Sequence, residues 1–350
     1  MILIAGGGAI GASIAYRLAL RGAPGVVLCD RGPIAGGSTA KAMGGVRQQF
    51  STAAEVLLAR ESIAFFAELG PPFFHQVGYL FLATTEHGLA ELEERRTVQA
   101  ALGVPVEQVD ASFVPGLETG DVLGAVYCGQ DGLADPGAVT RELVRRSEEL
   151  GVEIREHTSA ETLLEGADTL VIACGPWSAA LGEQVGLELP VRPLCRQLLA
   201  TAPLPGLPET LPMVVEAETG FHFRRRGERL VLAMSDGAPR WGFEATVDGS
   251  VFADRLERLA HRYPPAAAAR VEEAWAGLYD MTPDAHPILG RVADGVYAAC
   301  GFSGHGFMQS PAVGKAIAEA ILDGESSIDL APYRLERFSG TVEFPETLVL

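Results

Sequence analysis

The chain opens on an apolar run, Ile2-Leu3-Ile4-Ala5, that ends at Gly6, and apolar positions then recur at helical spacing from Ile10 to Leu20 before Gly22. A second apolar run, Val26 to Asp30, follows at once. Two buried strands joined through a helix by such short connections make a parallel βαβ unit. Gly32 to Gly45 is rich in Gly, Ser and Ala and lacks periodicity, so it reads as a loop, whereas Thr52 to Leu69 reads as a long amphipathic helix beginning after Ser51. Val77 to Ala83 alternates as a half-exposed strand would, and Asp121 to Cys128 and Val152-Glu153-Ile154 are also strand-like. Helices are predicted over Glu86 to Leu102, Pro136 to Leu150 and Pro311 to Leu322. Thr169 to Gly175 and Val296 to Gly301 are apolar almost throughout, which suits strands buried on both faces of a central parallel sheet. Residues 190–250 carry prolines, turn residues and short alternating runs, and predict a second, antiparallel sheet in a separate domain.

Composition narrows what such a chain does. With 350 residues, 48% of them hydrophobic and 21% charged, it is long enough for two packed domains and too apolar for a disordered or fibrous protein. Its formal net charge of -18 repels phosphate backbones and anionic headgroups, so nucleic acid and membrane surfaces are poor partners and a small molecule is the better one. The stretch from Met1 to Leu20 has three consecutive glycines and Arg17, with neither a basic leader nor a cleavage site, and no run is long enough to span a bilayer. Five scattered cysteines without a CxxC pair read as reduced, mostly buried thiols; together these features predict a cytoplasmic protein. The histidines lack ligand spacing, so no metal site is expected.

The sharpest motif lies in the βαβ unit. Gly6-Gly7-Gly8-Ala9-Ile10-Gly11 fits GxGxxG, with Gly6 for a tight turn, Gly8 for close approach of a pyrophosphate and Gly11 for packing of helix on strand. Asp30 ends the second strand at the position that bonds a ribose hydroxyl, and Arg31 beside it raises the question of NADP. A simple NAD domain would continue with regular βα units. This chain instead inserts Gly36-Gly37-Ser38-Thr39-Ala40-Lys41-Ala42-Met43-Gly44-Gly45-Val46-Arg47, a loop whose amides can wrap a second, extended part of a dinucleotide.

The glycine fingerprint and that loop are joined by Ala173-Cys174-Gly175-Pro176-Trp177, Trp275-Ala276-Gly277-Leu278-Tyr279 and Gly301-Phe302-Ser303-Gly304-His305-Gly306-Phe307-Met308. In that order the motifs resemble the D-amino-acid oxidase superfamily of flavoenzymes, nearest the branch of sarcosine oxidase, glycine oxidase and the β subunits of dye-linked proline dehydrogenases. The resemblance implies an α/β chain with a Rossmann-like FAD-binding domain, residues 1–70, 129–189 and 271–335, plus an α+β substrate domain with an antiparallel sheet, residues 71–128 and 190–270; residues 336–350 form a tail. It implies that Gly6, Gly8, Ala9, Ile10 and Gly11 hold the pyrophosphate, that Asp30 and Arg31 face ribose and adenine, and that Ser38, Thr39 and Ala40 meet the phosphate and ribityl region. Gly44, Gly45 and Val46 would run beside the flavin ring, Cys174, Gly175 and Trp177 would close over the dinucleotide, and Ala160 would stand at the adenine edge. Gly301 leads into a loop, Gly304 to Met308, whose amides would face the flavin N1 and O2 edge just ahead of the last helix. Some sarcosine oxidases tether FAD through a cysteine where Gly277 stands here, so noncovalent FAD is expected.

The same resemblance implies oxidation of a small amine or amino acid such as sarcosine, proline or glycine, with hydride passing to flavin N5. Arginine suits its carboxylate because the planar fork bonds both oxygens. Arg47 and Arg224 are the leading candidates, Arg196 a weaker one because an ion pair within its sheet accounts for it equally well; His305 is expected at the flavin and Tyr279 in the pocket. Monomeric sarcosine oxidases use lysines near the flavin for oxygen, but Leu230-Val231-Leu232 carries none and Met308 follows Phe307. This favours a dye- or quinone-type electron acceptor over oxygen, and leaves open a homo-oligomer or a partner subunit. Two rivals stand: a flavoprotein subunit that only relays electrons, and an NAD-dependent dehydrogenase.

Overall fold

The fold is described from a computed structural model, over residues 1–340, 346, 347, 349 and 350. Of the expected tail, 341–345 and 348 lie outside the described residues.

The apolar runs pair as a six-stranded sheet in the order Ile288–Ala293, Val296–Cys300, Thr169–Ile172, Ile2–Ala5, Val26–Cys29, Glu153–Arg155. The pairs are parallel except the outermost, Ile288–Ala293 with Val296–Cys300. Alternate side chains serve two cores. Ile4, Leu28, Val171 and Ala299 pack with residues of the helices Ala9–Leu20, Pro136–Glu149 and Gly306–Leu322, while Leu3, Val27, Leu170 and Ile172 pack with Leu181 and Leu189. Burial on both faces is why these strands carry no polar alternation.

The second sheet has nine strands. Eight run in the order Arg240–Trp241, Arg192–Thr201, Arg229–Ala233, His222–Arg226, Met213–Glu216, Tyr79–Ala83, Gly124–Cys128, Val106–Val109, and Val271–Met281 pairs with Arg192–Thr201. It is antiparallel apart from Met213–Glu216 beside Tyr79–Ala83. A third, small sheet joins Gly45–Val46, Gly132–Ala134 and Phe74–His75.

Three expectations are corrected. Tyr79–Ala83 is buried throughout rather than half exposed, because it lies inside the nine-stranded sheet: Tyr79, Phe81 and Ala83 pack with Val56 and Leu92, and Leu80 and Leu82 with Leu259 and Tyr263. Val271–Met281 was assigned with the nucleotide-binding segments, yet its long pairing with Arg192–Thr201 places it in the second sheet. The last helix begins at Gly306, not Pro311. A proline inside a helix leaves the carbonyl four residues earlier without its donor. Here Ser310 fills the gap, its hydroxyl donating to the Phe307 carbonyl at 2.9 Å.

Candidate active site

A cavity of about 430 Å³ is lined from both large sheets, running from Asp30 and Arg31 at one end to Arg47, Tyr79 and Tyr279 at the other. At the first end the wall is mainly backbone. Gly6 adopts φ +114°, and a Cβ there would strike the Ala173 carbonyl; one on Gly11 would strike the Gly6 carbonyl. Helix and strand therefore approach as closely as the motif requires. Gly8 caps the helix Ala9–Leu20 without a side-chain hydrogen bond, which leaves its first amides facing the cavity, and the Thr39 hydroxyl accepts from the Ala9 amide at 3.1 Å. Such a terminus is suited to an anion. The Asp30 carboxylate is held by the amides of Gly7 and Gly32, each at 2.7 Å. Ionised, it still offers lone pairs to ribose hydroxyls.

Most of the expected cofactor residues line this cavity: Gly6, Gly8, Ala9, Ile10, Asp30, Arg31, Ser38, Thr39, Gly44, Gly45, Ala160, Cys174, Gly175, Trp177 and Gly277, and then Gly304 to Met308. Gly11, Ala40, Val46 and Gly301 do not line it. Gly11 sits behind, at the helix–strand contact, and a Cβ on Gly301 would meet Thr282. The earlier start of the last helix corrects the loop expected at Gly304 to Met308: Gly306, Phe307 and Met308 are its first turn, with His305 at the N-cap. Trp177 carries Arg31 at 4.5 Å from its ring centroid and stacks at 6.0 Å with Phe243, an exposed side chain just after the strand Arg240–Trp241 of the second sheet.

At the other end the wall is made of side chains. Arg47 is 1% exposed; its guanidinium donates to the Gln49 carbonyl, lies 4.0 Å from the Phe50 ring centroid and comes within 3.4 Å of His305 Nε2. His305 in turn meets Phe50 edge-on at 5.0 Å. Tyr279 packs its ring on Gly304 and donates its hydroxyl to the Leu350 carbonyl at 2.9 Å. Arg196, on the neighbouring strand, lies 5.6 Å from the Tyr279 ring centroid and lines the cavity.

Arg224 is placed differently from its expected role. It does not line the cavity but is buried behind the glycine loop, where a Cβ on Gly44 would come within 3.2 Å of its Nη2, and burial pushes its pKa down to about 10. The side chain of that strand that lines the cavity is His222. Its Nδ1 proton goes to the Gly220 carbonyl at 2.8 Å, and burial pushes its pKa down to about 4, so the ring is neutral at neutral pH.

Three residues escaped the sequence reading. Tyr79 lines the pocket, and a Cβ on Gly45 would fall on its hydroxyl, so only glycine fits there. Asp131, fully buried, accepts from the Gln48 amide at 3.0 Å, Gln48 Nε2 at 3.2 Å and Gln49 Nε2 at 3.0 Å, fixing the segment that follows Arg47. Asp280 lines the cavity and accepts from the Gly301 amide at 2.7 Å, fixing the loop that leads to His305. Burial pushes both carboxyl groups up to about 6. The tandem Gln48-Gln49 between apolar Val46 and Phe50 was the available signal, since buried amides need a partner.

The cradle at Gly6–Gly11, the bonded Asp30 and the enclosed far end fit a dinucleotide extended by a second ring system. Residues 1–320 match the family model described as FAD dependent oxidoreductase. The chain belongs to this family. FAD-dependent oxidoreductase domain-containing protein 1 of Bos taurus is 31% identical over 96% of this chain and 84% of that protein. Glycine oxidase of Geobacillus kaustophilus is 28% identical over 97% of this chain and 98% of its own. The crystal structure of L-proline dehydrogenase from P. horikoshii superposes with a TM-score of 0.88, at 25% identity and with 97% of each chain covered.

The cofactor of this FAD-dependent oxidoreductase is thus FAD, which the residues lining the Asp30 end would hold by its adenosine and pyrophosphate. Among the described residues no group of three or more His, Cys, Asp and Glu side chains could hold a metal ion, and no helix is long and apolar enough to cross a membrane.

Proposed function

We propose that the chain oxidises the C–N bond of a small amino acid or N-alkyl amino acid of the sarcosine, proline or glycine type, using noncovalently held FAD. The observation that carries this reading is the far end of the cavity, where Arg47, His305, Tyr79 and Tyr279 enclose a space continuous with the dinucleotide groove. Bound FAD would supply the acceptor for a hydride from a carbon attached to the substrate nitrogen. The protein's own task is position and electrostatics. Neutral His222 adds no positive charge there, which suits an amine entering unprotonated. Similar proteins include glycine oxidase of Geobacillus kaustophilus and sarcosine dehydrogenase of Homo sapiens, and the absence of a cysteine from 275–282 supports a cofactor that is not tethered.

The deciding experiment is an anaerobic panel of amino acids and N-methyl amino acids followed at the flavin absorbance, with reoxidation by oxygen compared with that by a dye. Bleaching by at least one amine is expected. An FAD-loaded protein that no amine bleaches would be an electron relay instead, and flavin released by denaturation shows that no covalent bond holds it.

A further inference from the structure

We infer that Arg196 is the residue that grips the substrate carboxylate, a role that rests on the amino-acid oxidation proposed above. Three arginines were candidates, and their surroundings separate them. The Arg47 guanidinium is built into the wall by the Gln49 carbonyl and the Phe50 ring. Arg224 is screened from the cavity by the Gly44 backbone. Arg196 lines the cavity, and among the described residues its guanidinium has neither an ion pair nor a hydrogen bond, its Nε being buried without a partner.

Arg224 shares that state, its Nε also buried without a partner, but it does not line the cavity. On the same sheet Arg226, Arg229 and Arg240 each meet a carboxylate, at 3.0 Å from Glu273, 2.6 Å from Glu272 and 2.9 Å from Asp236. In a chain of charge -18 an arginine facing a cavity with no acid beside it is prepared for an anion from outside. Directly across from Arg196 stands Gly277, whose missing side chain leaves room for that of Lys41, and the next residue on that face is Tyr279, whose ring supports the guanidinium from the side. A planar fork resting on an aromatic shelf presents its N–H groups in one plane, the geometry that bonds both oxygens of a carboxylate.

The test uses the FAD-loaded protein and matched pairs that differ only in the carboxylate: sarcosine with sarcosinamide, proline with prolinamide. In anaerobic stopped-flow reduction, Arg196→Gln is expected to raise the half-saturating concentration of the acid by about 10- to 100-fold while leaving the amide unchanged. Its limiting rate should move by less than about 3-fold, since the lost contact binds ground state and transition state alike. Arg196→Lys should recover part of the loss. Independently of turnover, titration with propionate, but not propionamide, should perturb the flavin spectrum of the wild type and fail to do so in Arg196→Gln. Equal loss for acid and amide, no loss for either, or collapse of the acid preference in Arg224→Gln instead would overturn the assignment. If no amine reduced the wild-type flavin, the proposed reaction would fall, and the propionate titration would still decide whether Arg196 binds carboxylate.

Discussion

The two ends of the cavity are built from different materials. Around Gly6–Gly11 the groups that face the ligand are mainly amides at the head of one helix, positioned by contacts so close that a single methyl group would collide with backbone. Around Arg47 and Tyr279 they are side chains, brought together by three sheets and the start of the last helix and fixed by buried carboxylates behind them. The first construction suits a part common to all dinucleotides. The second can be altered by exchanging one side chain while the backbone stays.

The contrast can be broken most severely from behind the side-chain wall. Asp131→Ala removes the acceptor of three buried hydrogen bonds from Gln48 and Gln49, and at about 1–3 kcal/mol for each the loss is about 3–9 kcal/mol, read as a lower urea midpoint. Titration of the same buried acids comes next. The Asp131 and Asp280 carboxyls rise from 3.8 to about 6 through burial. Between those values the unfolded chain releases protons that the folded chain keeps, so stability falls as pH rises from about 4 to about 6 and is level above it. Each contributes at most about 3 kcal/mol. Unfolding midpoints measured across that window should slope downwards, and Asp280→Asn, which can still accept from the Gly301 amide, should make the slope shallower.

The backbone end should respond in cofactor affinity. Gly11→Ala drives a methyl group at the Gly6 carbonyl, and overpacking of about 1–3 kcal/mol corresponds to about 5- to 150-fold weaker FAD binding by fluorescence titration. If instead its unfolding midpoint fell as far as that of Asp131→Ala with FAD affinity intact, the division of labour between the two ends would be wrong. The mildest change is Phe243→Ala. Losing the stack on Trp177 is worth about 0.5–1.5 kcal/mol, and release of FAD should quicken by about 2- to 10-fold.

This difference in material also explains what could be read from residues alone. Gly6, Gly8, Gly11 and Asp30 form a local pattern, because a helix terminus and its strand are adjacent in sequence. Tyr79, Asp131, Arg196 and Asp280 reach one cavity or its supporting wall only through strand pairing between distant segments. Arg224 and His222 show the cost. Both sit on the strand His222–Arg226 and point to the same side, yet one lines the cavity and the other is hidden by Gly44, a distinction decided by a loop far away in sequence. The misplaced start of the last helix has a local origin: Pro311 reads as a first-turn residue, and the Ser310 hydroxyl that makes an interior proline tolerable is no recognised start signal.

The strand Val271–Met281 ties these two constructions into one mechanical unit. It belongs to the second sheet along its length, yet its Leu278 carbonyl takes the Ser38 hydroxyl at 2.7 Å, Trp275 Nε1 donates to the Lys41 carbonyl at 3.0 Å, and Asp280 holds Gly301 of the first. These links fasten the cofactor loop and the end of the central sheet to the sheet that bears Arg196. Tension applied at either sheet is therefore carried to the other through one length of backbone, and in calorimetry the two should melt as a single endotherm that moves upwards as a whole when FAD is added.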